Sequence, residues 1–160
     1  MKRHYHILIA LAALLPFATS CANAANTSDN KPTELVTKAY DKQELTFEVT
    51  YVQPTGSQSF FSSDGYTLVL KDGKAKAHLP FIGEAHQAVF AGIDSAGIDF
   101  NDCPVKIKSS RNKDKYVLKF TAKSGNESFD VTLNIWPDGS AELVCIGSSR
   151  SVMRYNGELK

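Results

Sequence analysis

Cysteine is scarce in this chain: its 160 residues include three, and none forms a C-x-x-C motif or stands at the Cys/His spacing of a zinc site. The sequence therefore predicts neither a redox centre nor a bound metal. An excess of one charge is also missing, because 18 basic residues balance 17 acidic ones and the two kinds are interspersed. Without a basic stripe to bind phosphates, nucleic acid is not a predicted partner.

Familiar catalytic motifs are missing as well. The chain contains no G-x-S-x-G nucleophile elbow and no glycine-rich phosphate loop. These patterns would identify a serine hydrolase or a nucleotide-binding enzyme. We therefore expect a protein that is not an enzyme and that binds no cofactor.

The longest apolar run lies at the N-terminus, where "MKRHYH" precedes "ILIALAALLPFA". A basic segment followed by about a dozen apolar residues is typical of a signal peptide and too short for a transmembrane helix. Ala22 and Ala24 fit ordinary cleavage, which makes residues 1–24 the signal peptide. Cys21 follows small residues, as lipidation requires, and would end the signal peptide at residue 20. Both alternatives predict an exported protein, in the periplasm or lipid-anchored at the outer membrane.

Two cysteines remain after either cleavage, Cys103 and Cys145. In an oxidising compartment two neighbouring thiols are expected to pair, so they are a candidate disulfide. The alternative is a pair of free cysteines that act as small hydrophobic residues. The sequence leaves both alternatives open.

The rest of the chain has room for one domain. Residues 25–44 read as a polar linker and a short helix, which Thr33 is placed to cap. Residues 45–160 read as a β domain, because apolar residues recur at every second position in most of its segments. In the first strand the side chains expected on the buried face are Leu45, Phe47, Val49 and Tyr51.

Tight-turn signals separate the alternating segments, at residues 71–74, 112–114, 123–126 and 137–140. Strands joined by such short turns must pair antiparallel, since a parallel neighbour needs a long crossover. The sequence therefore predicts a mainly β, single-domain antiparallel meander of about eight or nine strands. So many strands are expected to curl into an open barrel or to form a two-layer sandwich.

The segment "LPFIGEAH", residues 79–86, combines apolar, proline, glycine and titratable residues. We predict a corner of an inter-strand connection, in which Phe81 and Ile82 pack over the sheet and Gly83 makes the turn. The competing hypothesis makes Glu84 and His86 an acid/base pair, because side chains two residues apart share one side of an extended chain.

The catalytic alternative is a hydrolase or isomerase of unfamiliar type. It would use Glu84 and His86, or His78 with Asp94 or Asp99, and it requires these groups to converge around a concave pocket. No recognisable nucleophile stands near them in the sequence.

The corner resembles the L-P-Y-F-G corner of a family of exported Bacteroidetes proteins, domain of unknown function 4251. The resemblance covers about residues 45–159 and includes "ESFDVTLNIWPDGSAEL". It also includes an R-x-x-I-x-Y-x-G ending that "RSVMRYNG" matches through Arg150, Tyr155 and Gly157, with Met153 at the isoleucine position. The chain departs from the family in having Phe-Ile for Tyr-Phe in the corner, and a histidine at position 86 where an aromatic residue is frequent.

The resemblance implies a periplasmic or membrane-tethered β domain with no assigned activity or cofactor. With no catalytic set in the sequence, we predict a non-catalytic binding or envelope-structural module, in contact with membrane only through a lipid anchor. Its expected partner is a hydrophobic small molecule, a glycan or an envelope protein. The candidate binding residues are Phe81, Glu84, His86, Arg150 and Tyr155.

Overall fold

The computed structural model describes residues 32–62, 65–83 and 97–160. It contains one helix, α1, at Glu34–Lys42. Thr33 caps the helix as predicted, because its Oγ1 accepts a hydrogen bond of 3.3 Å from the backbone N–H of Val36. The helix ends at Gln43, which has a left-handed backbone with φ of 56°.

Ten strands follow the helix. They are β1 (Leu45–Pro54), β2 (Phe60–Phe61), β3 (Thr67–Lys71), β4 (Lys74–Pro80), β5 (Gly97–Pro104), β6 (Lys108–Asn112), β7 (Lys115–Ser124), β8 (Glu127–Ile135), β9 (Ser140–Gly147) and β10 (Met153–Leu159).

The strands form one antiparallel sheet in the order β5-β4-β3-β1-β10-β9-β8-β7-β6, and β2 pairs only with β1. Neighbours in this order are neighbours in sequence, with two exceptions: β1 pairs with β3, past the short β2, and the first strand, β1, pairs with the last, β10. The sheet is therefore an up-and-down meander whose two chain ends meet in the middle. Its two edges are β5 and β6, which follow each other in the chain.

The sheet curls, so that its edge strand β5 comes close to β7 and β8. The backbone N–H of Lys123 in β7 donates to Sγ of Cys103 at the end of β5, at 3.3 Å. The rings of Phe100 in β5 and Phe129 in β8 have their centroids 5.3 Å apart. The predicted fold class is confirmed, as a single-domain, curled, open antiparallel barrel with a short N-terminal helix. Alternating side chains from every long strand fill its interior.

Two details of the strand prediction are wrong. The residues after the corner were predicted to be an inter-strand connection, but Gly97–Pro104 form β5, in which Ile98 and Phe100 are buried. The register of β1 shifts between Val49 and Tyr51. This bulge turns Tyr51 away from the core and buries Val52 instead.

The predicted Cys103–Cys145 disulfide is not supported, because both thiols are free. Cys103 lies at the rim, where its sulfur accepts the Lys123 N–H bond. Cys145 lies in the middle of β9 and is 1% exposed. Burial raises the pKa of the Cys145 thiol to about 12, so this cysteine serves as a core hydrophobe.

The helix covers one end of the barrel. The backbone N–H of Thr33 donates to the Pro137 carbonyl in the β8–β9 turn, and the Tyr40 ring packs edge-on against Tyr116 at 5.0 Å. Tyr116 pairs with Ile135 at the open end of the β7–β8 hairpin. The helix therefore lies at the end of the barrel opposite the Ser124–Glu127 turn. No helix in the described ranges has both the length and the apolar character needed to span a bilayer.

Candidate functional site

The predicted corner lies at the end of the barrel away from α1, and β10 holds it there. The hydroxyl of Tyr155 donates a hydrogen bond of 2.7 Å to the Pro80 carbonyl. Tyr155 is fully buried, and burial raises its pKa far above the ordinary value, so the hydroxyl stays a neutral donor. Tyr155 is therefore committed to anchoring the start of the corner.

Arg150 anchors the other side of the same region. Its Nε donates to Oε2 of Glu127 at 2.8 Å, and its Nη1 donates to the Gly97 carbonyl at 2.8 Å. The guanidinium also lies over the Phe81 ring, 5.1 Å from its centroid. Both side chains of the ion pair are only 9% exposed, so they have lost most of their contact with water and are stabilised by these internal contacts instead.

Glu127 retains one unused acceptor, because its Oε1 is buried and has no hydrogen-bond partner in the described part of the protein. Gly147 lies against this atom. A Cβ at position 147 would stand 2.9 Å from Oε1 and 3.2 Å from the Phe129 ring. Gly147 and Phe129 therefore pack closely around the buried Glu127 carboxylate.

The corner prediction holds for Phe81, which is half-buried and packs against the core. It is wrong for Ile82, which is 41% exposed. Gly83 is absent from the residues with positive φ in the described chain. A Cβ at position 83 would stand 3.1 Å from Ser151 Cβ and 3.2 Å from the Phe81 ring, so these side chains would have to shift slightly to accept it.

Four predicted site residues lie outside the described residues: Cys21, Glu84, His86 and Asp94. The structure does bring His78 and Asp99 together, opposite each other in the β4–β5 pairing, with Nδ1 and Oδ1 2.6 Å apart. Their side chains are 69% and 49% exposed, so this pair lies on an open surface. No cluster of three metal-ligating side chains occurs among the residues that the structure describes.

A groove of about 230 Å³ lies at the other end, between α1 and the adjacent strands β3, β1 and β10. We call it the helix–sheet groove. Its apolar lining comes from five side chains: Leu35, Leu45, Val69, Leu70 and Leu159. Its polar lining comes from Lys38, Glu44, Thr46, Lys71 and Lys160.

The helix buries one apolar face against the sheet and leaves one apolar residue beside the groove partly uncovered. Val36 and Ala39 are fully buried against the sheet, whereas Leu35 on the neighbouring face is 45% exposed. An exposed leucine above a floor of strand residues makes a concave apolar surface.

Sequence reasoning missed this groove. Its leucines follow the ordinary core periodicity, and its lysines come from three segments that are distant in sequence. The only available signal was the breadth of the apolar face of α1, where Leu35 stands next to Val36.

A curled antiparallel barrel with a buried, ion-paired corner and an open groove under a short helix defines a small β-barrel module. The family model Domain of unknown function (DUF4251) matches residues 28–159 of the chain. The chain belongs to this family, as its corner and its C-terminal motif predicted. No curated protein matches the chain in sequence.

Proposed function

We propose that this protein is a non-catalytic binding module of the bacterial cell envelope, and that the helix–sheet groove is its binding site for a small apolar molecule. The observation that carries the proposal is the groove itself, in which Leu35 exposes 45% of its surface over a floor of buried leucines. Covering such a surface with an apolar ligand removes it from water and stabilises the complex.

The other end of the barrel supports the same assignment by contrast. Arg150 and Tyr155 were candidate binding residues, but Nε and Nη1 of Arg150 already donate to Glu127 and Gly97, and the Tyr155 hydroxyl donates to Pro80. A ligand that used these same donors would have to displace short, buried hydrogen bonds, which costs more than occupying an open groove.

Export is the second part of the proposal, and it rests on the N-terminal basic and apolar segments. The mature protein would lie in the periplasm or be anchored by a lipid on Cys21. The intact mass of the protein purified from its native envelope tests this part. A chain that keeps residues 1–24 would contradict export, and one that begins at residue 25 without acyl mass would contradict the lipid anchor.

The groove is tested by titrating the protein with 1-octanol and following backbone amide shifts. We expect the shifts to concentrate at Thr46, Val69 and Lys71, which line the groove. Replacing Leu35 by Ser removes part of the apolar wall and should weaken binding by about fivefold.

Ile146→Ser is the matched control, because Ile146 is 49% exposed and does not line the groove. It should leave the affinity for 1-octanol unchanged. Shifts that spread evenly over the surface, or an equal loss of affinity in both variants, would contradict the proposed site.

A second candidate function is a hydrolase or isomerase that uses His78 and Asp99. The observation that favours it is the 2.6 Å contact between Nδ1 and Oδ1, which orients the ring and leaves Nε2 to accept a proton. Tyr66 packs beside the imidazole, with ring centroids 5.4 Å apart. The pair would need a substrate that binds to an open surface.

The catalytic candidate is tested with activated ester substrates. If the pair is catalytic, His78→Ala should abolish turnover, and Asp99→Asn should lower it strongly while both variants keep the melting temperature of the parent. If wild-type protein and His78→Ala hydrolyse the esters at the same rate, this candidate function is wrong for that reaction class.

A further inference from the structure

The lysines around the helix–sheet groove differ in their acidic partners. Three lysines and one glutamate line the groove. Lys38 contacts Glu44 at 3.7 Å, and Lys160 contacts Glu158 at 2.5 Å and Glu48 at 3.5 Å. Lys71 has no acidic partner within the described ranges of the chain, so its charge remains available to a ligand.

Lys71 stands where an apolar ligand would reach water. It is exposed at the end of β3, directly after Leu70, which is 1% exposed and contributes to the floor. A ligand chain that lies along Leu70 and Leu45 would therefore present its head group to the Lys71 ammonium at the rim. Lysine side chains commonly keep an apolar stem on such a surface and the charge in water.

We propose that the groove binds a free single-chain alkyl carboxylate of about six to eight carbons, with the carboxylate paired to Lys71. The inference rests on the proposed function, because it assigns the head group of the apolar ligand to a site that must first bind apolar molecules. It specifies the charge of the ligand's head group and the length of its chain, neither of which the proposed function requires.

The size follows from the groove volume. A space of about 230 Å³ is smaller than the roughly 300–1,000 Å³ of sites for drug-sized ligands and equals the volume of about eight water molecules. A short chain fills such a space, whereas the body of a two-chain lipid does not.

The head group of the ligand is inferred from the kind of cationic side chain that lines the groove. No arginine lines the groove, so the planar fork that favours bidentate phosphate binding is missing there. A single unpaired ammonium matches a single negative charge. These two features favour a carboxylate over a phosphate monoester, which carries more charge and more acceptors.

The experiment compares octanoate, 1-octanol and octylammonium by calorimetric or amide-shift titration at low ionic strength. Because an exposed ion pair contributes up to about 1 kcal/mol, we expect octanoate to bind about fivefold more tightly than 1-octanol. Octylammonium should bind more weakly than 1-octanol. The preference for octanoate should shrink in 1 M salt, where the Debye length falls to about 3 Å.

Chain length supplies the test of size. Going from butanoate to octanoate, each added methylene should raise the affinity about threefold to fourfold, and decanoate should gain little more. A gain that continues unchanged from octanoate to decanoate would show that the chain is not confined by this groove and would overturn the size assignment.

Lys71→Gln tests the head-group contact, and Lys74→Gln is its control. Lys74 is the cross-strand partner of Lys71, is also exposed, and does not line the groove. Lys71→Gln should bring the affinities for octanoate and 1-octanol to within about twofold of each other. Lys74→Gln should keep the preference for octanoate.

The outcomes separate the two proposals. If none of the three compounds binds at the groove, the proposed function fails and the carboxylate assignment fails with it. If 1-octanol binds at the groove as tightly as octanoate in the parent protein, the groove function stands and the carboxylate assignment is wrong. If Lys71→Gln keeps the full preference, another cation binds the head group and the assignment to Lys71 is wrong.

Discussion

The two ends of the barrel handle charge in opposite ways. At the corner end, the side chains of Arg150 and Glu127 are 9% exposed and form an ion pair with each other. At the helix end, the lysines of the groove remain in water, and Lys71 has no acidic partner in the described chain. The comparison teaches that the motif residues with the clearest sequence pattern make internal contacts of the fold, whereas the groove that we propose as the binding site carries no sequence motif.

Replacing Arg150 should have the largest effect on stability. Arg150→Ala leaves the Glu127 carboxylate buried without its cation and removes the bond to the Gly97 carbonyl. Loss of one partner of a buried pair costs about 3–5 kcal/mol of unfolding free energy. Denaturant midpoints, converted with a common m-value, measure this cost.

Arg154→Ala is the control for Arg150, because Arg154 is half exposed and contacts Glu142 at only 3.7 Å. We expect it to cost less than about 1 kcal/mol. Equal stability of the two arginine variants would contradict the conclusion that the buried Arg150–Glu127 pair stabilises the corner end.

The next effect is steric and concerns the pairing of the first strand with the last. A Cβ at Gly157 would stand less than 2.5 Å from the carbonyl oxygen of Glu48 and 3.0 Å from the Phe47 ring. Because backbone atoms cannot move aside cheaply, Gly157→Ala should cost about 3 kcal/mol. Gly125→Ala, at a turn with φ of 58° and open space around it, should cost about 1 kcal/mol from backbone strain alone. Thermal unfolding of both variants ranks them, and a reversed order would contradict the close approach at Gly157.

A third prediction compares neighbours in the corner. Phe81 packs against the core beneath Arg150, whereas Ile82 is 41% exposed. Phe81→Ala should therefore cost about 2 kcal/mol, below the usual range for a fully buried phenylalanine, and Ile82→Ala less than about 1 kcal/mol. Urea midpoints of the two variants check this ordering. Equal midpoints would mean that the corner is not held by Phe81.

Most of the fold could be predicted from the sequence, because period-two alternation and tight turns are local signals. They place β7, β8 and β9 with their connecting turns nearly residue by residue. The alternation of apolar residues gave a wrong prediction where the strand pairing departs from it. The bulge in β1 was hidden because Tyr51 continues the alternation, yet the pairing with β10 shifts there.

The site could be predicted less well, because it depends on contacts between distant segments. The pairing of Arg150 with Glu127 and of Tyr155 with Pro80 spans 23 and 75 positions of the chain. Sequence similarity identified these residues as a motif but not their structural role. The helix–sheet groove combines α1 with the ends of three strands, and no local pattern predicts such a meeting.

The smallest predicted effect belongs to an exposed carboxylate at the helix end. Asp138 Oδ1 accepts hydrogen bonds from the hydroxyl of Ser140 at 2.7 Å and from its N–H at 2.9 Å, and these bonds hold the pKa of Asp138 below its ordinary value of 3.8. Because folding lowers this pKa, the ionised form contributes stability that is present above about pH 3.8 and is lost as the pH falls through the folded value. Asp138→Asn should cost about 0.5 kcal/mol or less at pH 7, and the difference from the parent should vanish near pH 2. Urea midpoints measured across this range test the sign, since a difference that grows on acidification would mean that folding raises the pKa.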